Sequence, residues 1–151
     1  MGSNARATIC LGTALEEEGE YPWKDDMEEW WLKINGYEPP FQLFDAKGEY
    51  LNGKKPPKDQ IDAYYNHKFK FKKDHPLPVE VVYYGSGYDD SSCKILAVCG
   101  TEKETDWCSP LKINPNDIAV DVENLKKFKE FCKTYLNIED EPKWLLSAYY
   151  G

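Results

Sequence analysis

What this chain lacks narrows its chemistry first. No stretch approaches the roughly 20 consecutive apolar residues of a membrane-spanning helix. The first apolar run, Ala7–Leu11, is too short for a secretory leader, and acids follow it. The opening MGSNAR places Arg6 where N-myristoylation requires Ser or Thr. These gaps point to a cytoplasmic protein with no membrane partner.

Histidine is scarce. His67 lies among lysines and His75 directly precedes a proline, so neither stands beside a nucleophile motif. There is no G-x-S-x-G, and Ser86 belongs to a turn between strands rather than to a strand-to-helix elbow. Gly85-Ser86-Gly87 leads into a strand, so no helix N-terminus stands ready for a phosphate. The 5 cysteines include no C-x-x-C pair, and no metal is expected. Cys10, Cys99 and Cys132 sit in apolar runs and read as buried free thiols of a reducing compartment. Asp89-Asp90 and the acids between Glu16 and Glu29 lack EF-hand spacing, so they read as solvated surface carboxylates. No cofactor is expected, and the chain reads as non-enzymatic. A carboxylate-dependent hydrolase is the lesser alternative, because a catalytic carboxylate pair needs no proximity in sequence.

What is present is a globular chain. Its 151 residues suffice for a single domain that buries roughly 70% of its unfolded surface. The 5 Trp, 11 Tyr and 6 Phe within a 41% hydrophobic composition exclude disorder over most of its length. The formal net charge is −8. Acids dominate residues 1–45 and 76–151, whereas lysines give residues 46–75 a positive balance. An acidic field of this size argues against direct nucleic-acid binding and suits a basic protein partner.

The central signal is Val79–Gly100, VEVVYYGSGYDDSSCKILAVCG. Two runs rich in β-branched and aromatic residues flank a turn segment, which predicts an antiparallel hairpin. Before it, Ala7–Leu15 predicts a buried strand ended or bent at Gly12-Thr13. A helix is expected over about Asp25–Asn35, capped by Asp25 or Asp26, with Met27, Trp30, Trp31 and Ile34 on one face. Phe41–Phe44 reads as a short strand that turns at Asp45–Gly48 into Glu49-Tyr50-Leu51, a small β-hairpin or an irregular arm. A helix then starts at Pro56-Pro57, with Ile61, Tyr64, Tyr65 and Phe69 as its stripe, although the alternating KFKFK at its end also fits an extended strand. Gly100–Pro115 reads as irregular, with Trp107 stranded among polar residues. The strongest helix falls within Asp117–Asn137, with Asp121 as cap and Leu125, Phe128, Cys132, Tyr135 and Leu136 buried. Lys143–Tyr150 reads as a final strand docked on the sheet. The expected fold is α+β, one domain over 1–151 with a mixed or mostly antiparallel sheet and about three helices packed on it. Residues 1–6 are expected to be flexible.

What remains for function is a recognition surface. An acidic lip (Glu16, Glu17, Glu18 and Glu20) embeds Tyr21 and Trp23. The hairpin tip (Tyr88, Asp89 and Asp90) and Trp107 extend it. Aromatic anchors among carboxylates suit a basic groove on another protein. Lys68, Lys70 and Lys72, interleaved with aromatics, offer the alternative of a small-molecule or nucleotide site with lysines at the phosphates. In size and charge alone, the chain resembles phage and mobile-element proteins that inhibit host defence or nucleic-acid enzymes. That resemblance implies an inhibitor and carries over no residue roles.

Overall fold

The computed structural model describes residues 5–16, 19–24, 26–86, 93–106 and 110–150. The fold is α+β, with a predominantly antiparallel five-stranded sheet and three α-helices among the described residues. It divides into two compact units, Met1–Pro22 with Pro78–Gly151, and Trp23–Leu77.

The first unit holds the sheet. Its strands are β1 (Ala5–Ala14), β2 (Val79–Ser86), β3 (Cys93–Val98), β4 (Lys103–Asp106) and β5 (Lys143–Tyr150). The hairpin expected over Val79–Gly100 is β2 paired antiparallel to β3, from Val79↔Val98 to Tyr84↔Cys93. The terminal aromatic run is β5, which pairs with β1 from Ala5↔Tyr150 to Gly12↔Lys143. Ala5 and Arg6 are therefore sheet residues rather than part of a flexible leader. β2 also meets β5 in parallel at Gly85↔Tyr149 and Ser86↔Tyr150. Because β1 pairs with β3 as well, the ladder runs round a closed ring, β1–β3–β2–β5. The sheet curls over Cys10, Val82, Ile95 and Ala97, with Tyr84 and Leu145 packed against them.

Two residues make the curl possible. Gly12 does not end β1, which continues to Ala14. A Cβ at Gly12 would stand 2.1 Å from the carbonyl oxygen of Leu96, so only glycine lets the backbones approach. The edge of β1 that carries β4 as far as Ile9↔Lys103 carries β3 from Gly12↔Ala97. Across this break Cys10 and Leu11 face residues 98–102, an enlarged bulge. The buried Thr101 hydroxyl fills it, accepting from Leu11 N at 3.1 Å and donating to Val98 O at 2.7 Å. β4 itself is a correction to the irregular reading of Gly100–Pro115. KETD carries no apolar residue, and pairing with β1 alone makes it a strand.

α3 (Val122–Phe131) is capped by Asp121, whose carboxylate accepts from Asn124 N at 3.0 Å. It lies against β2 and β3 and buries Phe128 and Phe131. Its last turn widens into a π-helical segment, Cys132–Leu136, which Asn137 ends at φ 54°. Leu125, Tyr135 and Leu136 are only half-buried, and Phe131 takes a place in the core not assigned to it from sequence.

The second unit is built on α1 (Met27–Ile34) and α2 (Lys58–Asp74). Asp26 caps α1 by accepting from Glu29 N at 3.0 Å. The buried face of α1 runs through Met27 and Leu32, leaving Ile34 44% exposed. The expected stripe was thus rotated away from Leu32. Phe41–Phe44 forms no strand of its own, only an isolated bridge, Phe44↔Tyr50. α2 continues through KFKFK to Asp74, so the extended alternative does not hold. Its inward face carries Ile61, Tyr64, Lys68 and Phe71, while Tyr65 and Phe69 point outward. No helix among the described residues is long and apolar enough to cross a membrane.

Candidate functional site

The acidic lip is built on the end of β1. Leu15 N donates to Lys94 O at 2.9 Å, fixing the chain as it leaves the sheet. Glu16 O then accepts twice, from Gly19 N at 3.2 Å and from the Tyr21 hydroxyl at 2.7 Å. Burial pushes the Tyr21 phenol above its ordinary pKa. Glu16 and Glu20 are exposed. Glu17 and Glu18 lie outside the described residues, as do Tyr88, Asp89, Asp90 and Trp107.

Trp23 corrects the expected surface. It is 5% exposed and belongs to the second unit, where its ring centroid lies 5.4 Å from that of Trp30. A buried indole packed at a tilt against Trp30 anchors α1 and presents no face to a partner.

Two of the three candidate lysines of α2 are already engaged. Lys72 Nζ lies 2.6 Å from Glu28 Oε2, and Lys68 pairs with Glu29. Burial works against the charge on Lys68, yet the Glu29 carboxylate outweighs it and holds the ammonium above its ordinary pKa. The acids of α1 thus take up two of the three cations proposed for a phosphate site. Lys70 is exposed.

A third arrangement had no counterpart in the sequence reading. In the first unit, a cleft of ≈ 390 Å³ is lined by Arg6 and Thr8 of β1, Val81, Val82 and Tyr83 of β2, and Glu102 and Glu104. Arg6 Nη1 lies 3.2 Å from Glu104 Oε1. Glu102, at the foot of β4, has no ion-pair partner among the described residues. Its carboxyl is held above the usual range by burial first, then by repulsion from Glu80 and Glu104. Burial, followed by the carboxylates of Glu102 and Glu80, pushes the Cys10 thiol up to about 11. A thiol so placed is not a nucleophile at neutral pH. At the rim, Tyr83 is 55% exposed and Lys94 Nζ sits 5.8 Å from its ring centroid.

The cleft went unread because β4 went unread. Glu102 and Glu104 approach Arg6 and Thr8 only through the pairing of Lys103 with Ile9 and of Glu104 with Thr8. The available signals were Thr8 inside an apolar strand and Glu80 inside VEVVYY. Among the described residues no group of three or more His, Cys, Asp or Glu side chains is placed to hold a metal ion. No protein-family model, curated protein or solved structure matches the chain.

Proposed function

We propose that this is a non-enzymatic binding protein that engages a basic surface on another protein. The observation that carries the reading is the lip. Glu16 and Glu20 are exposed on a segment tied at Leu15 by Lys94 O and at Glu16 O by two donors, Gly19 N and the Tyr21 hydroxyl. Carboxylates presented from a tied segment meet a basic partner with less ordering cost than a loose chain. The net charge of −8 adds long-range steering that salt would screen.

Enzymes that act on nucleic acid carry basic grooves for phosphate backbones. An acidic protein of this size can occupy such a groove, so inhibition of a host nucleic-acid or defence enzyme is the function this surface fits. A cytoplasmic setting accords with the free thiols of Cys10, Cys99 and Cys132.

The test is affinity capture from lysate of the source cell at low and high salt, with the wild type beside a variant carrying Lys at Glu16, Glu17, Glu18 and Glu20. A partner held at low salt, released at high salt and lost by the variant is expected. The thermal midpoint of the variant should stay near that of the wild type, because Glu16 and Glu20 are exposed. Capture of the same partner by the variant would remove the lip from the interface.

A further inference from the structure

We propose that the cleft of the first unit is a site for an organic cation, the guanidinium or ammonium head of a basic side chain supplied by the partner. This inference rests on the binding-protein reading and adds to it the chemistry that one pocket takes. Its volume, ≈ 390 Å³, falls within the roughly 300–1,000 Å³ of ligand pockets.

Charge sets the sign of the ligand. Two carboxylates, Glu102 and Glu104, line the cleft, and Arg6 pairs with Glu104 at 3.2 Å. Glu102 keeps its charge unneutralised by any ion pair among the described residues. Glu80 lies close enough to add to the repulsion at Glu102, so three carboxylates, Glu80, Glu102 and Glu104, outnumber the two cations at the cleft and its rim, Arg6 and Lys94.

A second observation is independent of charge. Thr8 is 6% exposed and lines the cleft, yet its hydroxyl makes no hydrogen bond among the described residues. Its oxygen therefore opens onto the cleft rather than lying sealed in the core. Here it stands beside carboxylates with an open acceptor, which a guanidinium or ammonium N–H can fill.

The protein's own cations show how such a group is received. Arg6 meets a carboxylate, and Lys94 lies over the face of Tyr83, another lining residue, within cation–π range. A divalent metal is the poorer occupant, because it needs three or more donors converging at short range. No such convergence of His, Cys, Asp or Glu exists among the described residues. An organic head group needs no such convergence, and Glu102 and Thr8 line the same cleft.

The test is an NMR titration of the isolated full chain with acetyl-arginine methylamide, with spermidine and with Mg²⁺ in separate arms at low salt. Saturable shifts at the amides of Thr8, Tyr83 and Glu102 are expected with the arginine derivative. Glu102→Gln and the near-isosteric Thr8→Val should each weaken that binding by about tenfold or more, the size of one lost contact to a charged group. Arginine binding that both cleft variants leave intact, no saturable shift at these amides, or response to Mg²⁺ alone would overturn the proposal. Response to spermidine alone would overturn the assignment to a partner side chain and make the occupant a free polyamine. Because the titration needs no partner, it can fail while salt-sensitive capture succeeds, and the reverse, so the two readings fall separately.

Discussion

The hydroxyl of Thr101 accepts a hydrogen bond from the amide of Leu11 at 3.1 Å, where the ladder between β1 and its neighbours is broken. A side chain thus performs what backbone performs elsewhere in the sheet. It also donates to Val98 O at 2.7 Å, so one oxygen joins the two ends of the break. Thr101→Val keeps the shape and removes both bonds. It should destabilise the protein by about 1–3 kcal/mol, the cost of leaving a buried donor and acceptor unpaired. Thr101→Ser, which keeps the hydroxyl, should cost less. Urea denaturation of the three proteins checks this, and equal stability of the valine variant would show that water replaces the hydroxyl.

Gly12 stands on the same strand and admits no side chain. The carbonyl oxygen of Leu96 lies 2.1 Å from the position of an added Cβ, and that oxygen belongs to a buried strand that cannot swing aside. Gly12→Ala should cost about 3 kcal/mol or more, beyond ordinary overpacking. Gly48→Ala is the control. Its φ is 80° with open space around it, so only backbone strain of about 1–2 kcal/mol applies. A scan in which both variants melt together would contradict the close approach of β1 and β3.

The sequence was legible where local pattern and tertiary role agreed. The hairpin, the terminal strand, the Asp26 and Asp121 caps and the helix starting near Pro57 all carry their reasons in a few neighbouring residues. It was misleading where a partner decided the outcome. β4 is KETD, polar throughout, and only the edge of β1 makes it a strand. Tyr65 and Phe69 keep helical spacing with Ile61, yet they lie on the outer face, because Ile61, Tyr64, Lys68 and Phe71 form the inner one. Trp23 sits in a run of acids and breakers, but burial against Trp30 decides its place. The cleft combines the first and fourth strands, so no local pattern could have drawn Thr8 and Glu102 together.

The ion pairs between α1 and α2 define a prediction of small size. Lys68 pairs with Glu29 and Lys72 with Glu28, on side chains that remain partly in water. A double-mutant cycle on Glu29→Gln and Lys68→Met should return a coupling of about 0.2–1 kcal/mol, falling with added salt. The pH dependence follows from the direction of the lysine shift. The folded state raises the Lys68 pKa above its unfolded value, so the contribution is full below roughly pH 10.4 and is lost as pH rises through the folded pKa. Coupling that is unchanged well above that pH would assign it to packing of the lysine stem instead.

Glu102 carries the opposite balance. Burial and the nearby Glu80 and Glu104 raise its pKa in the folded state, so the folded protein binds this proton more tightly than the unfolded chain does. Its ionised form therefore subtracts from stability at neutral pH. The penalty is relieved as pH falls through the raised folded pKa towards the unfolded value near 4.3. Glu102→Gln removes the charge and should raise stability at pH 7 by about 0.5 kcal/mol or less, since solvent at this exposed residue screens much of the repulsion. The gain should shrink as pH approaches 4.5 and vanish below it. Thermal melts of the wild type and the variant across pH 4–8 give the curve. A stabilised variant that also loses arginine binding would mean that stability is given up at Glu102 to keep an open carboxylate for a cation. A variant less stable at pH 7 would mean that Glu102 makes a favourable contact in the folded state that outweighs its repulsion from Glu80 and Glu104.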